Sequence, residues 1–200
     1  MKNDQDMTLD YYNQQYEQFA GSTKDLEFSD IQDRFLQYLE PRTLILDFGC
    51  GAGRDSRYFL KKGYHVEAID GSKEMCRIAS ETAGIPVRQM LFSELDEVER
   101  YDGIFACASI LHVPSADLPD ILTKMKRALK PQGIMYVSFK YGDFEGERNG
   151  RFFTDLNEDL FHNLLDEVGG LEILEERITG DARPGRQDEK WLNVILKKIN

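Results

Sequence analysis

Covalent staples are scarce in this chain: its 200 residues hold 3 cysteines, Cys50, Cys76 and Cys107, in no CxxC or Cys/His spacing. That scarcity argues against a disulfide framework or a metal site and suits reduced thiols in a cytoplasmic protein. An export leader is not expected either, because Met1 to Asp10 mixes one lysine with three aspartates and has no apolar stretch. Long hydrophobic runs are missing; the longest, Gly103 to Val113, is too short to span a bilayer, so no membrane partner is expected. Positive charge is also in deficit, with 25 Lys plus Arg against 36 Asp plus Glu and a formal net charge of -11. This sign disfavours a nucleic-acid partner. No repeat and no Pro, Gly or Ser tract divides the chain, and 41% hydrophobic residues are enough for one domain with a proper core.

What is present is an alternation of short apolar runs with amphipathic segments. Met7 to Phe19 and a segment opening at Ser29-x-x-Gln32, which has the pattern of a capping box, predict two helices, the second ended by Pro41. Strands are expected at Leu44 to Phe48, Tyr64 to Ile69, Val87 to Met90, Gly103 to Ala108 and Ile134 to Phe139. Helices are expected at Arg54 to Lys62, Lys73 to Thr82, Leu118 to Leu129 and about Asp155 to Val168. Such alternation predicts right-handed βαβ units on a parallel sheet, hence an α/β fold. Two last runs, Leu171 to Thr179 and Trp191 to Lys197, predict an antiparallel hairpin at the sheet edge. The ligand crevice of such a sheet lies at the carboxyl ends of its strands.

There the chain reads Asp47-Phe48-Gly49-Cys50-Gly51-Ala52-Gly53, a glycine loop between a strand and a helix, with Asp70 ending the next strand. Glycines permit a tight turn and close approach of a ligand, and an acid at Asp70 is placed to accept hydrogen bonds from ribose hydroxyls. Arg54 stands where a dinucleotide fingerprint wants a small residue. Asp47, directly ahead of the loop, would repel a pyrophosphate by roughly 3 kcal/mol at about 5 Å. S-adenosylmethionine has an adenosyl group, no phosphate and a cationic tail, which Asp47 would welcome while Arg54 meets its carboxylate. Cys50 is read as a small loop residue or, without an adjacent base, as a poorly supported nucleophile.

The same residues resemble the class I S-adenosylmethionine-dependent methyltransferases over nearly the whole chain, in particular small bacterial members such as the tellurite-resistance-like ones. Asp47 to Ser56 resembles the first motif and Ala68-Ile69-Asp70-Gly71-Ser72 the second. Tyr101-Asp102 resembles the pair that opens the fourth strand, and Leu129-Lys130-Pro131-Gln132-Gly133 the turn before the fifth. The resemblance implies a Rossmann-like, seven-stranded, mostly parallel sheet with an antiparallel last strand and helices on both faces. It also implies residues 1–40 as a helical lid on a methyltransferase domain at 41–200, with Tyr12 and Phe19 covering the cofactor. Gly49, Cys50, Gly51, Gly53, Asp70 and Gly71 would bind it, and Met75 would pack on the adenine or serve the core. Ala108 and Ser109, at the carboxyl end of the fourth strand, are expected to line the methionine side. The acid that many members place after the third strand is replaced by Met90-Leu91-Phe92, leaving adenine to backbone groups of Met90 and Leu91, with Glu94 or Gln89.

For the acceptor, His112 past the fourth strand is either a base or a structural residue steering the chain into Pro114. The polar segment Lys140 to Arg151 and the loop Gly180 to Lys190 supply Tyr141, Arg148, Arg151, Arg183 and Arg186. Either some of these arginines bind a small anionic or oxygen-rich substrate, or they pair with neighbouring acids and solvate the loops. A binding module without catalysis and a nicotinamide oxidoreductase are the competing readings. The first would hold the cofactor without consuming it; the second must accommodate Asp47 and Arg54.

Overall fold

A computed structural model describes residues 4–186 and 188–199. Helices α1 (Asp4–Gln14), α2 (Tyr16–Thr23) and α3 (Ser29–Leu36) precede strand β1 (Leu44–Phe48). The chain continues through α4 (Arg54–Lys61), β2 (His65–Asp70), α5 (Lys73–Ala83), β3 (Val87–Gln89), β4 (Tyr101–Ala106), α6 (Leu118–Ala128) and β5 (Leu129–Lys140). It ends with β6 (Glu145–Arg148), β7 (Arg151–Thr154), α7 (Glu158–Val168), β8 (Leu171–Gly180) and β9 (Lys190–Lys198). Seven strands form one sheet in the order β3-β2-β1-β4-β5-β9-β8, in which only β9 runs against its neighbours. The hairpin of β8 and β9 therefore does not simply extend the edge: β9 inserts between β5 and β8.

Alternate residues of each strand feed the two faces. On one face, Ile45, Phe105 and Tyr136 meet Phe35 of α3 and Phe59 of α4, with the Phe105 and Tyr136 rings stacked at 4.4 Å. On the other, Leu46, Phe48, Ile104, Val137 and Phe139 pack against Leu122 and Met125 of α6 and Phe161 of α7. With Phe35 wholly buried, α3 belongs to the core, whereas α1 and α2 lie across the carboxyl ends of the strands.

Three local expectations are corrected. The first helix breaks at Gln15 into α1 and α2, which lets Tyr12 and Phe19 meet edge to face at 4.9 Å. Ser29 is already inside α3, whose N-cap is Phe28, so no capping box forms; Gln32 is buried and donates to Asp55 at 2.6 Å instead. The segment after β5 is no plain loop: β6 and β7 pair as a separate antiparallel ribbon. Its docking explains why charged, glycine-punctuated sequence is extended here. The Phe152 amide donates to Thr8 Oγ1 at 3.0 Å, and the Phe152 carbonyl lies 2.6 Å from His112 Nδ1.

Candidate active site

The chain runs from β1 outward to β3 and then returns across the sheet to β4, so the carboxyl ends of β1 and β4 form a topological switch point. A cavity of about 690 Å³ opens there, within the range of small-molecule sites. It has two chemically distinct ends, one built by the glycine loop, β2 and the start of α4, the other by β7 and the β8–β9 turn.

At the first end the loop is tied down before any ligand arrives. The Gly49 and Cys50 amides both donate to the Ile69 carbonyl, at 3.0 and 2.9 Å, and the Gly53 amide donates to the Cys50 carbonyl at 3.0 Å. Asp70 accepts from the Gly51 amide at 2.9 Å and the Ser72 amide at 2.8 Å, one on each carboxylate oxygen. Burial, only partly offset by these two amides, pushes Asp70 up to about 6. Its oxygens keep further lone pairs toward the cavity. A phosphate cradle needs free amides, and at these four loop positions none is left.

The neighbouring charges are arranged differently from the sequence expectation. Asp47 is 1% exposed and is not in the cavity wall; Ser56 Oγ donates to it at 2.5 Å from beneath the loop. Burial and the nearby Asp55 charge raise its carboxyl well above the usual range. Its side chain shares a strand face with Ile45, turned toward α4. Asp55 is the carboxylate that lines the cavity, held by Arg54 through Nε at 2.9 Å and a terminal nitrogen at 2.8 Å. Phe28 covers this guanidinium at 4.3 Å. Cys107, which also lines the wall, accepts from Arg54 at 3.5 Å and burial pushes its thiol up to about 12. Cys50 is likewise raised by burial, so neither thiol is a nucleophile at neutral pH.

Gly53 does not line the cavity either; at φ +81° it opens α4, and a Cβ there would stand 2.9 Å from the Ala79 backbone. Close packing of loop against helix thus falls on Gly53 and not on the position of Arg54. Gly49, Cys50, Gly51, Arg54, Asp70, Gly71, Met75, Met90, Leu91, Ala108, Tyr12 and Phe19 do line it. Met75 is 1% exposed and serves the wall and the core at once. The amides of Met90 and Leu91 are taken by the Asp70 carbonyl and by Glu94, at 3.0 and 2.7 Å. Neither is open to a ligand, and Phe92 and Ser93 complete this wall. Sequence reasoning missed Asp55, Phe28, Phe92, Ser93 and Cys107, although Asp55 directly follows Arg54.

At the second end, His112 lies against Tyr12 and Phe153. A carbonyl can only accept, so Nδ1 carries the proton given to Phe152, and Nε2 accepts from the Tyr12 hydroxyl at 2.9 Å. Burial lowers the imidazole to about 4, so it is neutral at pH 7 with both nitrogens engaged. Arg151, Arg183 and Arg186 reach the cavity, with Lys140 and Trp191 beside them. Tyr141 and Arg148 do not: Tyr141 donates to Glu158 at 2.9 Å, and Arg148 pairs with Asp155 at 2.7 Å.

A Rossmann-like sheet thus carries a cavity at its switch point, with an acid ending β2 and a loop whose Gly49, Cys50, Gly51 and Gly53 amides are taken within the fold. The model of a methyltransferase domain family matches residues 45–133. An uncharacterised methyltransferase of Staphylococcus carnosus is 28% identical over 162 residues, covering 74% of this chain and 77% of that one. A ubiquinone biosynthesis O-methyltransferase of Rhodopseudomonas palustris is 34% identical over 99 residues, 47% of this chain and 38% of its own length. The crystal structure of Burkholderia thailandensis 1,6-didemethyltoxoflavin-N1-methyltransferase, with 1,6-didemethyltoxoflavin and S-adenosylhomocysteine bound, superposes with a TM-score of 0.81. It is 20% identical and covers 100% of this chain and 92% of that one. Residues 45–133 thus match a methyltransferase domain family, and the chain as a whole shares the fold of these methyltransferases.

Proposed function

We propose that the chain transfers the methyl group of S-adenosylmethionine to a small, anionic acceptor by in-line displacement, accelerated mainly by positioning. The observation that carries this reading is the Arg54–Asp55 pair on the wall beside a loop whose Gly49, Cys50, Gly51 and Gly53 amides are taken. An amino-acid tail presents one ammonium and one carboxylate, and the pair offers a partner for each. Asp55 therefore takes the role first given to Asp47. Asp70 accepts the ribose hydroxyls, Met75 and Phe92 flank the adenine, and Met90, Leu91, Gly71 and Ser93 close that end. Gly49, Cys50, Gly51 and Ala108 form the floor under the tail, and Tyr12 and Phe19, from the lid portion of residues 1–40, cover it.

The Arg151, Arg183 and Arg186 end supports an anionic acceptor, since it concentrates cations in a chain of net charge -11. Ubiquinone precursors and 1,6-didemethyltoxoflavin, which the relatives' names give, differ in chemistry, so the cavity and not the likeness selects the acceptor. His112 acts as a positioning residue that fixes Tyr12. Three unbridged cysteines suit a cytoplasmic location, and among the described residues no helix is long and apolar enough to cross a membrane.

Calorimetric titration with S-adenosylmethionine, S-adenosylhomocysteine and NAD in one series tests the cofactor, followed by an acceptor screen that reads S-adenosylhomocysteine release. The first two ligands are expected to bind and NAD to stay free. Binding of NAD alone would overturn the reading, and cofactor binding with no turnover on any acceptor would leave a non-catalytic module. The same titration has a pH signature. Ribose hydroxyls need the ionised Asp70, so S-adenosylhomocysteine affinity is expected to fall as pH drops through about 6 and to level off above it. An affinity unchanged between about pH 5 and 7 would remove Asp70 from the contact.

A further inference from the structure

Every other cation of the cavity wall already has a carboxylate partner. Arg54 pairs with Asp55, Arg183 donates through Nε to Asp181 at 2.9 Å, and Lys140 and Arg186 share Glu189. Arg151 differs. Among the described residues no carboxylate forms an ion pair with it, and its Nε is buried without a hydrogen-bond partner. Its guanidinium is packed between Tyr11 at 4.6 Å and Phe153 at 5.0 Å, and among the described residues its one side-chain hydrogen bond runs from a terminal nitrogen to the Tyr12 hydroxyl at 3.3 Å. The strand that carries it is pinned on both sides of Phe152, by Thr8 and by His112. A semi-buried charge held this rigidly without a counter-ion costs free energy in the empty protein.

Its place is also defined. Phe19 lies over the glycine loop, 3.6 Å from where a Gly51 Cβ would stand; Tyr12 meets Phe19 edge to face, and Arg151 follows Tyr12. The free guanidinium thus stands one aromatic ring beyond the cover of the cofactor loop. The imidazole beside it has no lone pair to spare, because Tyr12 occupies Nε2.

We propose that Arg151 receives the methyl acceptor as a small organic anion whose charge is shared by two oxygens, a carboxylate or a stabilised enolate, already ionised before it binds. This rests on the methyltransferase reading. One oxygen is held by the guanidinium; the other keeps its lone pair for the methyl carbon. That pair forms the O–CH3 bond while the C–S electrons return to sulfur. The oxyanion and the sulfonium become a neutral ester or enol ether and a neutral thioether, and no proton moves. Two opposite charges vanish in the step, which a desolvated cavity favours over water.

The test uses the full chain loaded with S-adenosylhomocysteine and titrated with benzoate, phenylpyruvate and monomethyl malonate, each against its neutral amide. At least one anion is expected to bind more tightly than its amide. Arg151→Met should weaken that anion by about 10- to 100-fold, leave the amide unchanged, and be partly rescued by Arg151→Lys. Unchanged S-adenosylhomocysteine affinity in the variants shows that they are folded. Equal binding of anion and amide, anion affinity indifferent to Arg151→Met, or no binding by any of the three anions overturns the inference. Failure of the wild-type chain to bind S-adenosylhomocysteine at all overturns the methyltransferase reading instead.

Discussion

Asp70→Asn is expected to weaken S-adenosylhomocysteine binding by about 100-fold while leaving the protein folded, a loss of about 3 kcal/mol from two hydrogen bonds to a charged acceptor. The contrast between the two readouts follows from the site. In the free protein the Asp70 carboxylate is held in a buried position that pushes its pKa up to about 6, so ionisation is paid against folding at neutral pH. The sign is therefore that removing the charge relieves the fold and harms the ligand. The amides of Gly51 and Ser72 limit the relief, since asparagine offers an oxygen to only one of them. Thermal melting beside calorimetry separates the effects: a melting temperature within a few degrees of wild type with a weakened Kd is expected. Unchanged affinity would remove Asp70 from the cofactor site.

The largest effect on stability is expected at the glycine loop. Gly49→Ala would place a Cβ 2.5 Å from Ser109 Cβ, and Gly53→Ala one 2.9 Å from the Ala79 backbone, at φ of +79° and +81°. Left-handed strain and overpacking together predict a loss of about 2–4 kcal/mol for each variant, a drop in melting temperature on the order of 5–15 °C. Gly63→Ala is the internal control. Its φ is +89°, yet nothing lies within 4 Å of the added carbon, so it should cost about 1 kcal/mol from backbone strain alone. Equal losses at all three positions would mean that close approach contributes nothing.

The loop, β1, β2 and Asp70 were legible in the sequence because each is specified by local chemistry: a β-rich apolar run, glycines needing positive φ, and an acid at a strand end. Which of two acids faces the cavity was not. Asp47 and Asp55 flank the same loop, and strand alternation turned Asp47 toward Ser56 while the first turn of α4 presented Asp55 to the cavity. The β6–β7 ribbon was hidden for another reason. Its residues read as a solvated loop, and its extension is set by partners more than a hundred residues away in α1, through Thr8 and the Phe152 amide. Gln32 shows the same limit, with a side chain suited to a local cap drawn instead to Asp55. Arg148, Arg151, Arg183 and Arg186 were visible as a group, but only the three-dimensional pairing distinguishes Arg151 from the rest.

The Ile69 carbonyl, which takes the amides of both Gly49 and Cys50, gives the pocket the character of a mould instead of a clasp. The conformational entropy of that segment is surrendered during folding, so a ligand entering later has none of it left to surrender. The same arrangement resists conversion. Neutralising Asp47 and Asp55 would lift the repulsion toward a diphosphate, yet the amides of Gly49 and Cys50 would still face the Ile69 carbonyl, and freeing them for a new ligand would require that stretch of backbone to be rethreaded.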